Sequence, residues 1–310
     1  MMNRMIKRTG STLMLALMIL MLACGMAAAD FSMPVADGDY DVFEGLDENR
    51  INVLLIGTDT RENDMDTGRA DTMMICSLHK QTGDVKIVSL SRDLWVKMGE
   101  RNHQNRLNAA HTFGGANLLI QTINRTFDMN IEHYVTVNFY GICDIVDALG
   151  GVTINIRADE ASLVNQMAEP KFSNVEIIPL EKQDGEQVLC GAQALAYARI
   201  RSLDNDIERQ NRQRKLLMAI AAKVRECSIL DIPGIISTCL EYVKTNLTLG
   251  EILPLAIGVL DHGISDIALR GIPQEGEYSY ESGDGVSKLI INEDRMTEVI
   301  HQFIYQTQAQ

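Results

Sequence analysis

From Ile51 onward, short and nearly continuous apolar runs alternate with longer stretches whose apolar residues recur every three or four positions. The first pattern predicts strands buried on both faces, the second amphipathic helices. Ile51–Gly57 (INVLLIG) is a run of the first kind and ends in glycine. Thr72–Leu78 and Val85–Leu90 read as two more strands, and Gln81-Thr82-Gly83-Asp84 between them as a hairpin turn. A helix is expected over Asn108–Phe127, despite Gly114 and Gly115. Tyr134–Val137 and Val152–Ile156 are further strands, with a short helix around Ile142–Leu149 between them. Helices follow at Ile207–Val224, around Ile232–Thr245 and at Thr248–Asp261, then a strand at Ile264–Leu269 and a terminal helix at Glu293–Tyr305. Strands and helices interleaved in this way predict an α/β fold, a three-layer α-β-α sandwich with a central mixed sheet. Chain order leaves the strand order open.

Ahead of this region the pattern changes. Arg4, Lys7 and Arg8 precede an uncharged, Leu-, Met- and Ala-rich run from Thr12 to Ala29, which are the ingredients of an export signal. At about 18 residues the run is long enough to cross a bilayer, so residues 1–29 are expected to be an uncleaved signal-anchor with the basic tip inside and the body outside. Cleavage near Ala27-Ala28-Ala29, or lipidation at Cys24, are the alternatives. The acidic, Gly/Asp-rich residues 30–50 read as a linker.

The chain has 310 residues and a formal net charge of −14, with every charge in residues 1–29 positive. The exported body is therefore more acidic still, and such a surface repels nucleic acid. Cys76, Cys143, Cys190, Cys227 and Cys239 lie beyond the signal segment, an odd number without CxxC spacing. This fits neither a disulfide framework nor a zinc site. Cys76, inside an apolar strand, reads as a core residue.

Against that acidity a cluster of arginines stands out. On the helix Ile207–Val224, Leu216, Leu217, Ile220 and Val224 form the inward stripe, and its N-terminal continuation holds Arg209, Arg212 and Gln213. Inward arginines need an anionic partner, either an internal carboxylate or a ligand. Arg199-Ile-Arg201, read as an extended segment, places two more guanidiniums on one face just before the helix. Guanidinium forks and the free N–H groups of a helix start both suit phosphate oxygens. Asp206 sits where an N-cap belongs, and either caps the helix or joins the site.

Carboxylates mark the strand ends. Gly57-Thr58-Asp59 puts one at the carboxyl end of the first strand, where ligands of open α/β sheets bind. Arg69-Ala-Asp71-Thr72 puts another at the beginning of the second. Each alone reads as an ordinary turn residue. Together they form a pair able to share a hard divalent cation, magnesium or alternatively manganese. Ser91-Arg92-Asp93 closes the third strand and, alone, would be a surface ion pair.

In this order, these elements resemble LytR-CpsA-Psr proteins. The resemblance rests on Leu55-Ile-Gly-Thr-Asp59, Arg69-Ala-Asp71-Thr72, Ser91-Arg92-Asp93, Arg106-Leu-Asn108-Ala-Ala110-His111 and Ala148-Leu-Gly150-Gly151-Val152. It continues with Ala194-Leu-Ala-Tyr197-Ala-Arg199-Ile-Arg201, then Asp206, Arg209, Arg212 and Gln213. It implies a catalytic domain over 51–224 and a C-terminal extension over 225–310 packed on it.

The implied activity is an extracytoplasmic phosphotransferase. The donor is a polyprenyl-pyrophosphate-linked glycopolymer such as a teichoic acid or capsule, the acceptor peptidoglycan, and the setting a membrane surface without nucleic acid. Carried over by position, Asp59 and Asp71 hold magnesium. Arg92, Arg199, Arg201, Arg209 and Gln213 bind pyrophosphate, with Arg69 and Arg212 nearby. Arg92, Asp93 and Asp206 are the catalytic candidates, Asp93 or Asp206 as base. Ser91 stands where the family usually has proline. The alternative enzyme is a hydrolase of the same lipid-linked substrate. Transcriptional attenuation, the family's historical role, lacks a basic helix-turn-helix in this chain.

Overall fold

The computed structural model describes residues 40–58, 68–82, 84–99, 103–203, 206–226, 243–247, 267–283 and 286–306. The expected anchor over 1–29, most of the linker, and the helix expected over Thr248–Asp261 lie outside the described residues. Among the described residues no helix is long and apolar enough to cross a membrane.

In chain order, the first elements are β1 (Arg50–Thr58), β2 (Ala70–His79), β3 (Val85–Leu90), β4 (Trp95–Lys97), β5 (Gln104–Arg106) and α1 (Leu107–Phe127). Next come β6 (His133–Val137), α2 (Phe139–Ala148), β7 (Val152–Ile156), α3 (Ala158–Met167), β8 (Gly185–Leu189), α4 (Gly191–Arg199) and α5 (Asp206–Glu226). The last are β9 (Val243–Thr245), β10 (Ile267–Ile272), β11 (Tyr278–Gly283), β12 (Val286–Ile291) and α6 (Glu293–Tyr305). Two compact units result, one from the described parts of Ser32–Thr136 and Asp266–Gln310, the other from those of Val137–Ser265.

The first unit is built on a mixed sheet, β10-β3-β2-β1-β6, in which β1, β2 and β3 are antiparallel neighbours and β10 runs parallel to β3. The apolar runs bury both faces, as expected. Leu54, Ile75 and Val88 lie in register across three strands and point into the main core. Val53, Cys76 and Ile87, one position away, are buried on the opposite face. Each such side chain contributes about 1.5–3 kcal/mol on leaving water. The first row is covered by Leu119, Ile123 and Phe127 of α1 and by Met296, Ile300 and Ile304 of α6. Asn292 caps α6 by accepting from the Arg295 N–H at 2.9 Å.

The helix expected over Asn108–Phe127 is two helices meeting at a kink. Gly115 has φ +62°, a conformation disfavoured for any other residue, and a Cβ on Gly114 would lie 2.6 Å from that of Leu118. Another difference lies at Val243–Thr245, expected at the end of a helix and found as β9. Two of its three residues are β-branched and so favour an extended backbone.

In the second unit the antiparallel β7–β8 pair supports α3, α4 and α5. Strict alternation along β7 buries Val152, Ile154 and Ile156 against Val164, Tyr197 and Leu216. Asn138 caps α2 by accepting from the Gly141 N–H at 2.9 Å.

Candidate functional site

The antiparallel order of β1, β2 and β3 brings the end of β1, the beginning of β2 and the end of β3 to one edge of the sheet. There the β1–β2 register slips. Gly57 pairs with Thr72 and Thr58 with Ala70, so Asp71 is the extra residue of a β-bulge. A bulge turns a side chain out of the regular ladder, a device common beside active sites. Gly57 permits it, since a Cβ there would approach that of Thr72 to 3.0 Å.

Arg92, just past β3, fixes the displaced carboxylate through Nη1 to Asp71 Oδ1 at 2.6 Å. Its Nε lies 3.7 Å from Asp93 Oδ2, and Asp93 Oδ1 is 3.6 Å from Arg106 Nη1. Four alternating charges thus run Asp71, Arg92, Asp93, Arg106. The backbone fastens them too, with the Asn108 N–H donating to the Arg92 carbonyl at 3.2 Å. From α1, His111 Nδ1 and Thr112 Oγ1 meet the Gly68 carbonyl at 3.1 and 3.0 Å, holding the segment that leads to exposed Arg69 and to Asp71. The roles of Arg106, His111 and Thr112 were not legible from spacing. Arg106 and His111 do belong to the quoted Arg106–His111 string.

The second unit carries the other arginines. Arg209 and Arg212 are each only 2% exposed, so their side of α5 does face inward. Gln213 is half-buried. Arg212 donates through Nη1 to Glu160 Oε1 at 3.2 Å and through Nη2 to the Ile200 carbonyl at 2.9 Å. The Arg199-Ile200-Arg201 segment is not extended throughout, because Arg199 is the last residue of α4. Helix gives way to extended backbone at Ile200 (φ −56°, ψ 126°), which is buried between half-buried Arg199 and exposed Arg201. Asp206 opens α5, but its side chain, like the whole of Asp59, lies outside the described residues.

Among the described residues no three His, Cys, Asp or Glu side chains gather to hold a metal. The donor chemistry at the bulge still suits a hard cation. Asp71 is an all-oxygen donor, and Asp59 directly follows Thr58, the residue opposite Ala70.

One unit is thus a mixed α/β sheet with carboxylate and guanidinium groups at its strand ends, and the other carries a set of buried arginines. The chain belongs to the LytR_cpsA_psr family, whose model matches residues 27–304. One relative is the polyisoprenyl-teichoic acid–peptidoglycan teichoic acid transferase TagU of Bacillus mycoides (strain KBAB4), 32% identical over 201 residues. That match covers 64% of this chain and 60% of the relative's length. The TagU of Enterococcus faecalis (strain ATCC 700802 / V583) is 29% identical over 275 residues, 85% of this chain and 84% of its own. In structure, the chain is similar to the family protein TagT with bound octaprenyl pyrophosphate lipid. The TM-score is 0.63 at 20% identity, over 88% of this chain and 99% of that one, a likeness of fold.

Proposed function

We propose that this chain is an extracytoplasmic phosphotransferase that moves a glycopolymer from a polyprenyl-pyrophosphate carrier onto peptidoglycan. The observation that carries the reading is the Arg92–Asp71 contact at the bulge, in a chain of this family. The relatives named as teichoic acid transferases supply the substrate class. A teichoic acid or a similarly phosphate-linked polymer is the donor's cargo.

Phosphoryl transfer asks a protein mainly for positioning and charge neutralisation. The acceptor hydroxyl oxygen forms a new ester bond to the phosphorus that bears the glycan. The bond from that phosphorus to the bridging oxygen breaks, and polyprenyl monophosphate leaves. Arg92, Arg199, Arg201, Arg209 and Gln213 hold the pyrophosphate oxygens, and guanidinium donors stabilise the charge that develops on the leaving group. Arg69 and Arg212 have supporting roles, Arg212 because Glu160 and Ile200 already engage it. Asp59 and Asp71 hold magnesium or manganese, which supplies further neutralisation of the transferred phosphate. Asp93 lies between two guanidiniums and is suited to orienting Arg92, which leaves Asp206 as the base for the hydroxyl proton.

Residues 1–29 anchor the chain in the membrane, with the body outside and close to the lipid carrier. Residues 51–224 hold the catalytic residues of a three-layer α-β-α sandwich, to which 225–310 contribute the sheet strand β10 and the core-covering helix α6. The pyrophosphate itself carries the energy for transfer, so no nucleotide is needed.

The test is product analysis with the full chain in detergent micelles, a synthetic polyprenyl-pyrophosphate glycan and peptidoglycan fragments. Polymer joined to peptidoglycan through a phosphodiester supports the reading. Polyprenyl monophosphate released together with soluble polymer would identify a hydrolase instead. Consumption of neither substrate would remove the proposal.

A further inference from the structure

Glu160 does more than cap a helix needs. As the third residue of α3 it reaches back to the Arg157 N–H, Oε2 accepting at 3.1 Å. A glutamate in that role is ordinarily a solvated surface group. This one is 2% exposed, and its other oxygen meets Arg212 of α5, 52 residues later, at 3.2 Å. The guanidinium of Arg157 approaches the same oxygen to 3.8 Å. The second donor of the Arg212 fork binds the carbonyl of Ile200, the peptide between Arg199 and Arg201, at 2.9 Å. One buried carboxylate therefore fixes one guanidinium, which fixes the backbone from which two further guanidiniums extend.

We propose that Glu160 is a positioning residue for the arginine cluster. Through Arg212 it sets the place of Arg199 and Arg201, and with them the pyrophosphate-binding geometry. This rests on the phosphotransferase reading above. A buried ion pair is a poor general source of stability, because desolvating both charges offsets much of their attraction. Its value is directional. A bidentate fork shared between a carboxylate and a carbonyl admits one arrangement of α3, α5 and the end of α4. Glutamine at 160 keeps an oxygen for the Arg157 N–H but removes the charge that orders Arg212. Lysine at 212 keeps the charge but replaces the fork with a point donor that cannot serve both partners in the same geometry.

The experiment compares the full wild-type chain with Glu160→Gln, Arg212→Lys and the double variant, well below the melting temperature of each. Steady-state transfer is measured together with direct calorimetric binding of farnesyl pyrophosphate. The expected result is a KM for the lipid donor and a Kd for farnesyl pyrophosphate raised about tenfold in each single variant, with the KM for peptidoglycan fragments unchanged. The double variant is expected to be no worse than either single one, the mark of two residues acting through one contact. A lower melting temperature with donor KM and Kd unchanged would make Glu160 purely structural and overturn the proposal. Should Glu160→Gln fail to fold, Arg212→Lys makes the same test. Wild-type binding of farnesyl pyrophosphate without turnover would sink the transferase reading alone, and the variants' Kd values would still decide the role of Glu160.

Discussion

Arg92 Nη1 donates to Asp71 Oδ1 at 2.6 Å, and Asp71 is the extra residue where β1 and β2 slip out of register. The sheet irregularity and the ion pair belong to one device, in which the bulge frees the carboxylate and the arginine fixes it. Arg92 also reaches Asp93 at 3.7 Å, and a single ammonium cannot reproduce both contacts. Arg92→Lys is therefore expected to lower the rate of polyprenyl monophosphate release by about 10²–10³-fold, the range for losing one transition-state donor. Circular dichroism should show the fold intact. A rate within a factor of two of wild type would assign Arg92 to surface charge.

Metal removal is the next expectation. If Asp59 and Asp71 hold magnesium, chelation abolishes transfer and magnesium or manganese restores it. Asp71→Asn should raise the metal concentration needed for half-maximal activity about tenfold or more, because a neutral amide replaces one of two anionic ligands. A metal titration of the purified chain reads this directly, and full activity in chelator would contradict it.

Gly57→Ala tests the bulge without touching a charged group. The new Cβ would meet Thr72 Cβ at 3.0 Å and Oγ1 at 3.2 Å, inside ordinary contact distance. Overpacking of this kind costs about 1–3 kcal/mol. The expected outcome is a lower urea midpoint at unchanged slope, with a fall in activity larger than the unfolded fraction explains, since Asp71 sits in the same irregularity.

Cys76 is one of the buried groups, with Cys143 and Tyr305, whose raised values shape the chain's alkaline behaviour. Burial pushes its thiol up to about 12 from an ordinary value near 9. The folded state then keeps a proton that the unfolded state releases, so this contribution is complete below pH 9 and is lost as pH rises towards 12. Its share of the slope is about 1.4 kcal/mol per pH unit in that window, and Cys76→Ala should reduce the slope by that amount. At pH 8 iodoacetamide should leave Cys76 unmodified in native protein and label it in urea, as peptide mass mapping can check.

The strands were legible either as continuous apolar runs buried on both faces, as in β3, or by strict alternation, as in β7. Val85–Leu90 and Val152–Ile156 fall where the pattern placed them. α6 was equally clear from its three- and four-residue spacing. β8 was not, since its sequence GEQVL buries only Leu189. β11 escaped for a similar reason, with residues 279–282 lying exposed. At the site, spacing alone placed Arg209 and Arg212 on an inward face, because helical periodicity fixes direction. It left open whether an internal carboxylate or a ligand meets them. Arg212 meets Glu160, a partner 52 residues away that no local pattern reveals. The bulge at Asp71 was invisible too, because register belongs to two strands at once.

Covalent transfer itself is the reaction that most directly distinguishes a transferase from a hydrolase. The full chain is given a polyprenyl-pyrophosphate glycan labelled in the phosphate nearest the sugar, together with peptidoglycan fragments and magnesium, beside Arg199→Ala shown to be folded. Wild type is expected to place label in a phosphodiester to peptidoglycan and to release equimolar polyprenyl monophosphate, both lost in the variant. Label found only on soluble glycan, or equal transfer by Arg199→Ala, would contradict the transferase reading.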